Sequence, residues 1–422
     1  MKIDCVLKDL ISISKDGEWG KGEPFDESVE MLAIRGTDFE DVRFGNTAST
    51  PRRHIPKHIA ERKLLKPWDL IIEAAGGTKN QITGRTVLLR PQLFFRSKLP
   101  LTCASFSRFI RFNTEHCDPE FMFWYLQHLY ASGSMHAYHT QHTGVARFQW
   151  TTFSEREPLS LPPLPIQRRI AGILSAYDEL IENSQRRILI LETMARALYR
   201  EWFVHFRFPG HETHPRVPSP LGDIPQGWEV KRLPDCIHIN PRVTVPSVGE
   251  KPFVPMGCLS NDSMLISDIE SRAGNSGTKF QNGDTLFARI TPCLENGKTG
   301  FVQFLLDADA VAFGSTEFIV LRSHMLTPEF VYCLARSDGF RGVAIKSMSG
   351  ATGRQRVQEQ CFDDFQIAQP PRVLLDQFSA IVAPSFRIIY KLHLQIQNLR
   401  QTRDLLLPRL LSGQVKLEAE AA

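Results

Sequence analysis

A chain of 422 residues, 42% hydrophobic and 23% charged, is long enough for two or three domains with buried cores, and its make-up excludes intrinsic disorder. A formal charge of +4 permits nucleic-acid binding but carries no uniformly basic tail. The first ten residues lack a secretion signal, and no uninterrupted apolar run of about 18 residues marks a membrane span, so a cytoplasmic protein that meets no membrane is expected. The cysteines are scattered without a Cys-x-x-Cys pair and are read as free thiols.

In chain order, residues 1 to 160 read as a mixed globular segment. Residues 68–73 predict a strand, 74–80 a glycine-bearing loop, and 86–89 a second strand. A helix over 119–129 is predicted from Asp118 as its N-cap and Pro119 in its first turn. Pro162, Pro163 and Pro165 close the segment, because proline forces an extended entry into the next element.

Residues 161–205 then carry a heptad pattern. Ile170, Leu174, Tyr177, Ile181, Leu191 and Leu198 fall on one stripe whose spacing alternates between four and three, the pattern of a coiled-coil seam. After a linker over 206–222, a second segment at 223–369 repeats the first: a strand at 284–287, a loop at 291–298, a strand at 300–302, and a helix capped by Thr327 ahead of Pro328. A second heptad run over 370–413 has Ile389, Leu392, Ile396, Leu399 and Leu406 on its stripe, and Leu406 lies 208 places after Leu198 (406 − 198 = 208). Residues 414–422 form a tail. Pro384 predicts a kink or a fresh helix start, and Pro408 the end of the regular helix.

Two copies of one plan imply two like sites. If the helices share a seam, connectivity makes them antiparallel, with one globular domain at each end of a rod. The expected class is α+β: two similar mixed domains separated by an antiparallel helix pair, related by a pseudo-twofold repeat.

No catalytic constellation accompanies this plan. The run Gly297-Lys298-Thr299 imitates the end of a phosphate-binding loop, but Pro292 stands where a glycine is needed. His136, His139 and His142 do not converge on one helical face, and no metal site is assigned. No nucleophile elbow, zinc-protease motif or base-flipping methyltransferase loop occurs, so the residues describe a binder.

Two loops do suit DNA. Residues 143–150 correspond roughly to 349–356, and both hold arginine, which bridges guanine O6 and N7, beside glutamine, which bridges adenine N6 and N7. Arg147 and Gln149 in one copy, with Arg354, Gln355 and Arg356 in the other, are the leading contact candidates. Lys79 and Asn80 join them in the first copy, and Arg289, Thr291, Asn296 and Lys298 in the second.

Several motifs, in this order and with this duplication, resemble the DNA specificity subunit of type I restriction-modification systems. They are Leu161-Pro162-Pro163-Leu164-Pro165-Ile166-Gln167-Arg168-Arg169-Ile170-Ala171, Leu198-Tyr199-Arg200-Glu201-Trp202-Phe203, Leu221-Gly222-Asp223-Ile224-Pro225-Gln226-Gly227-Trp228-Glu229, Gly283-Asp284-Thr285-Leu286-Phe287-Ala288-Arg289-Ile290-Thr291-Pro292 and Leu407-Pro408-Arg409-Leu410-Leu411-Ser412-Gly413. The first copy departs from the pattern, lacking the Gly-Trp opening and the Thr-Pro loop.

The resemblance implies two target-recognition domains, each reading half of an interrupted sequence on double-stranded DNA, with the helices as a spacer. It also implies two modification subunits that bind S-adenosylmethionine and dock on the helices, and restriction subunits that use ATP and Mg; this chain itself holds no cofactor. Two rivals stay open: the specificity subunit of a bipartite type II enzyme, and a coiled-coil scaffold that binds protein. A methyltransferase acting alone would require S-adenosylmethionine binding by this chain.

Overall fold

The computed structural model describes residues 3–76, 81–141, 145–307, 309–351 and 353–417. The chain divides into two compact units, Met1–Glu182 with Asn398–Ala422, and Asn183–Gln397. Helix α1 spans Pro119–Ala131, α2 Leu164–Tyr199, α3 Pro328–Ala335 and α4 Arg372–Ser412, so part of each long helix belongs to each unit.

The first unit is built on an antiparallel sheet ordered Ile11–Asp16, Ser107–Phe112, Leu70–Glu73, Thr86–Leu88. The strand Leu70–Glu73 is buried throughout: Leu70, Ile71 and Ile72 fill the core, and the Glu73 carboxylate accepts from Arg85 Nη2 at 2.7 Å. Helix α1 covers one face. The Asp118 carboxylate accepts from the Phe121 backbone N–H at 2.9 Å, Pro119 fits the first turn, and Phe121, Met122, Trp124 and Leu126 reach the core. A smaller sheet, Arg52–Pro56, Ser28–Ile34 and Leu101–Cys103, contains one parallel pair.

The second unit repeats the arrangement. Its main sheet runs Ile237–Ile239, Phe318–Ser323, Thr285–Ala288, Thr299–Phe301, again antiparallel, and Thr327 Oγ1 accepts from the Phe330 N–H to start α3. In both units the strand feeding a long helix is paired with the opening strand: Pro158–Leu161 with Ile3–Val6, and Gln366–Gln369 with Glu229–Arg232. Buried Asp69 receives Arg111 at 2.7 Å through both oxygens and the Lys66 N–H, and buried Asp284 receives Arg322 at 2.7 and 2.6 Å and the Gln281 N–H. The same charged clamp therefore closes the same turn in each copy. The fold is α+β, with mixed domains and long helices as the sequence predicts.

Within the first unit, Ile170, Ala171 and Leu174 of α2 share a core with Leu407, Leu410 and Leu411 of α4. Asp178 is buried beside them and accepts from Arg43 Nε and Nη2 at 2.9 and 2.8 Å and from Arg403 Nη1 at 2.6 Å. Within the second unit, Tyr199 packs edge-on against Phe378, while Glu192 accepts from the Met264 N–H at 2.9 Å, from Ser263 Oγ and from the Tyr332 hydroxyl. Tyr332 in turn packs edge-on against Phe386, so Tyr199 lies by Phe378 and Glu192 by Phe386, as Leu174 and Asp178 lie by Leu407 and Arg403; in each unit the two helices run in opposite directions.

Of the expected seam, Ile170, Leu174, Ile181, Ile389, Leu392 and Ile396 are buried, and Tyr177, Leu191, Leu198, Leu399 and Leu406 are half-buried. The first six are covered by the chain's own packing and the other five in part. The exposed apolar positions beside them are others, among them Leu189, Ile190 and Met194.

Helix α4 is not restarted at Pro384, nor does it end at Pro408; it continues to Ser412, and Gly413 follows in the left-handed conformation at φ 80. An interior proline costs about 3 kcal/mol, whereas burying Phe378, Val382, Phe386 and Ile389 contributes about 1.5–3 kcal/mol each, so packing wins. Helix α4 is also apolar and long enough, by composition alone, to cross a membrane. Phe378 packs on Trp202 and Phe203, and Phe386 on Phe301 and Tyr332, within the second unit.

Candidate nucleic-acid interface

The loop that follows the central strand in each unit is crossed by a later segment. In the first unit Ala146–Phe148 lies between His139–Thr140 and Ala75–Gly76, placing Arg147 opposite both Ala75 and Thr140. In the second, Arg356 bridges Ile290 on one side and Ser349 on the other. The backbone fixes the equivalence: the Phe148 N–H donates to the Ala74 carbonyl as that of Val357 does to Arg289, and both Phe148 and Val357 are buried.

Arg147 therefore corresponds to Arg356, 209 places later (356 − 147 = 209), and Gln149 to Gln358. The expected correspondence of 143–150 with 349–356 differs from this by three places: it pairs Gln149 with Gln355, where the structure pairs it with Gln358. A shared Arg-x-Gln emerges, with both polar side chains exposed at two-residue spacing on either side of a buried apolar residue.

The expected contact residues separate into groups. Arg147 and Gln149 are exposed, and the Arg147 guanidinium takes no hydrogen bond among the described residues. Arg354 is exposed as well, its N–H donating to the Ala351 carbonyl at 2.9 Å. Thr291 and Gln355 bind each other through two contacts of 3.0 Å, so they shape the loop. Arg289 is half-buried, donating to Glu359 at 2.6 Å and to the Val357 carbonyl at 3.1 Å, and Lys298 donates to the Met256 carbonyl at 3.0 Å. Those two cations brace the loop from within. Asn296 is exposed at the loop's edge, with its N–H on the Pro292 carbonyl. Lys79, Asn80 and His142 lie outside the described residues; His139 Nδ1 accepts from the Thr83 N–H at 3.2 Å.

The second unit's loop is clamped from behind. Arg336, 7% exposed, donates to the Gly297 carbonyl at 2.6 Å and to that of Asn261 at 3.1 Å, and Arg341 donates to those of Leu294 and Glu295. Gly297 has φ 91, and a Cβ there would lie 2.5 Å from the Asn261 carbonyl oxygen, so only glycine lets the loop approach this closely.

Sequence reasoning missed Glu317. Its carboxylate accepts from Arg356 Nε at 3.0 and 2.9 Å and from Nη2 at 2.6 Å. This hydrogen bonding holds the Glu317 carboxyl below its usual range and pushes the Arg356 guanidinium up. In the first unit the equivalent position is Phe106, whose carbonyl accepts from the Ala74 N–H as that of Glu317 accepts from Arg289. Nothing in the sequence marked this pair, because Glu317 is separated from Arg356 by an entire strand and two helices. Burial pushes the thiols of Cys103 and Cys117 up to about 12.

Residues 89–193 match the type I restriction modification DNA specificity domain. Over 314 residues the chain is 27% identical to the type I restriction enzyme MjaIX specificity subunit of Methanocaldococcus jannaschii, spanning 70% of this chain and 69% of that one. Over 156 residues it is 31% identical to the EcoEI specificity subunit of Escherichia coli, spanning 35% of this chain but only 26% of that one. The crystal structure of the type I restriction-modification S subunit from M. genitalium shares the fold, with a TM-score of 0.55 at 13% identity over 97% of this chain and 96% of that one.

Proposed function

We propose that this chain, similar in sequence and fold to type I restriction specificity subunits, is the DNA-reading, non-catalytic subunit of such an enzyme. The single observation that carries the reading is the repeated loop crossing, where Arg147 and Gln149 in one unit and Arg356 and Gln358 in the other stand exposed at matching backbone positions. Arginine and glutamine are the side chains best suited to purine edges in the major groove, and a braced loop presents them with little ordering cost on binding.

Each unit reads one half of a bipartite target, and the long helices set the gap between the halves. Two methyltransferase subunits bind S-adenosylmethionine and methylate adenine in the chosen sequence; restriction subunits use ATP and Mg to translocate and cleave. The complex works in the cytoplasm. Exposed apolar side chains such as Leu189, Ile190 and Met194 suit the docking of a protein partner.

Titration of the full chain with random duplex DNA at roughly 50 and 200 mM salt tests the reading, since phosphate contacts give affinity that falls steeply with salt. A steep fall is expected. No binding, or affinity indifferent to salt, contradicts it.

A further inference from the structure

We propose that Glu317 and Arg356 form one preassembled reader of a G·C base pair in the second unit, and that the first unit, with Phe106 in place of the carboxylate, lacks this reader. The inference rests on the DNA-reading role proposed above and gives it a chemical content for one unit.

Glu317 engages the side edge of the guanidinium, Nε and Nη2, at distances from 2.6 to 3.0 Å. The end edge, formed by Nη1 and the second hydrogen of Nη2, takes no partner among the described residues, and the Arg356 side chain is 48% exposed. Glu317 Oε1, which takes the 2.6 Å bond from Nη2, is the oxygen adjoining that end edge, and its outer lone pair is an acceptor beside the two donors. The outward face of the pair is thus two donors beside one acceptor.

Among base pairs, that pattern complements one edge. In the major groove guanine offers two acceptors, O6 and N7, and its cytosine partner a donor, the N4 amino group. An A·T pair presents a donor at adenine N6 where the second arginine donor would fall, and an acceptor at thymine O4 that the carboxylate would repel.

The pair is also held still. The Glu317 carbonyl accepts from the Arg289 N–H at 3.0 Å and its N–H donates to Ser315 Oγ at 3.2 Å, while Arg356 exchanges two backbone bonds with Ser349. An exposed ion pair contributes little to stability, so bracing the fold is a weak reason for its presence. In the first unit, Phe106 is 60% exposed at the equivalent place, and the Arg147 guanidinium meets no carboxylate among the described residues.

Selection of duplexes from a random library by the full chain tests this, comparing wild type with Glu317→Phe, Glu317→Ala and Phe106→Glu, and with thermal unfolding run on each. Wild type is expected to select G·C at one position of one sequence block. Glu317→Phe and Glu317→Ala should lose about tenfold in that preference while the other block stays unchanged. Phe106→Glu should raise the G·C preference at one position of the other block, which keeps the test intact should the Glu317 variants fail to fold.

An unchanged preference in folded Glu317→Phe, or an equal loss of affinity over all sequences, overturns the inference while leaving the DNA-reading role in place. A wild-type chain that binds DNA but selects no sequence overturns both.

Discussion

Replacing Asp178 by alanine removes the buried carboxylate that Arg43 and Arg403 share in the first unit, leaving Arg403, among the described residues, only the exposed Asp404, which accepts from its Nε at 2.9 Å. Its side chain is 1% exposed, and the guanidinium groups it holds, Arg43 and Arg403, are 16% and 11% exposed. Both cations lie over the Trp124 ring, at 5.1 and 5.4 Å from its centre, so the ring retains some attraction for them. With the carboxylate gone, two like charges face each other in a partly dry site, and the expected cost is about 3–5 kcal/mol.

The account makes a second, sharper statement about the same cluster. Replacing Asp178, Arg43 and Arg403 together with apolar residues of similar volume should cost less than about 1 kcal/mol, because the desolvation penalty disappears along with the attraction. Hydrogen exchange of the α1 amides reads the first unit's opening free energy directly, which a single global transition of a two-unit chain would blur. A loss below about 1 kcal/mol for Asp178→Ala, or an equal loss for the triple replacement, would refute the reasoning.

Further outcomes follow from the same geometry. Arg147→Ala or Gln149→Ala should cost about 1–3 kcal/mol of binding and relax one base position in one block alone, as sequence selection reads; a uniform loss would reassign the residue to phosphate. Inserting seven residues in both long helices, after Glu182 and after Gln397, should lengthen the gap between blocks by about 10.5 Å, or roughly three base pairs, without altering either block. Because Glu317 has a depressed folded pKa, its contribution to stability is complete above the ordinary carboxylate value of about 4.3 and is lost as pH falls through the lower folded value. The difference in Tm between wild type and Glu317→Gln should therefore be present at neutral pH and vanish in acid. Met194→Asp, at a side chain 61% exposed, should prevent assembly with the methyltransferase in size-exclusion chromatography while DNA binding by the chain persists.

Periodicity and capping chemistry made much of the fold legible. The stripe through Ile170, Leu174 and Ile181 had to be buried, and Asp118 and Thr327 had to start helices, because local hydrogen bonding fixes those ends whatever the tertiary context. Pro384 misled because propensity is a local quantity, and Phe378, Val382 and Phe386 outweigh it through burial. The loop candidates were legible by residue type and only partly by role. Arg289 and Arg356 are adjacent to acidic side chains that come from distant strands and turns, and no spacing in the chain foretells Glu359 or Glu317 beside them. The matched clamps of Asp69 with Arg111 and Asp284 with Arg322 escaped notice for a related reason: the aspartates are 215 places apart (284 − 69 = 215) and the arginines 211 (322 − 111 = 211), so loops of unequal length hide the repeat.

The central claim is that two similar units of one chain read two separate stretches of duplex DNA. Sequencing the duplexes that the full chain retains from a random library measures this directly. The account predicts two short conserved blocks divided by a stretch of constant length and indifferent sequence; a single continuous block, or two blocks at variable distance, would contradict it.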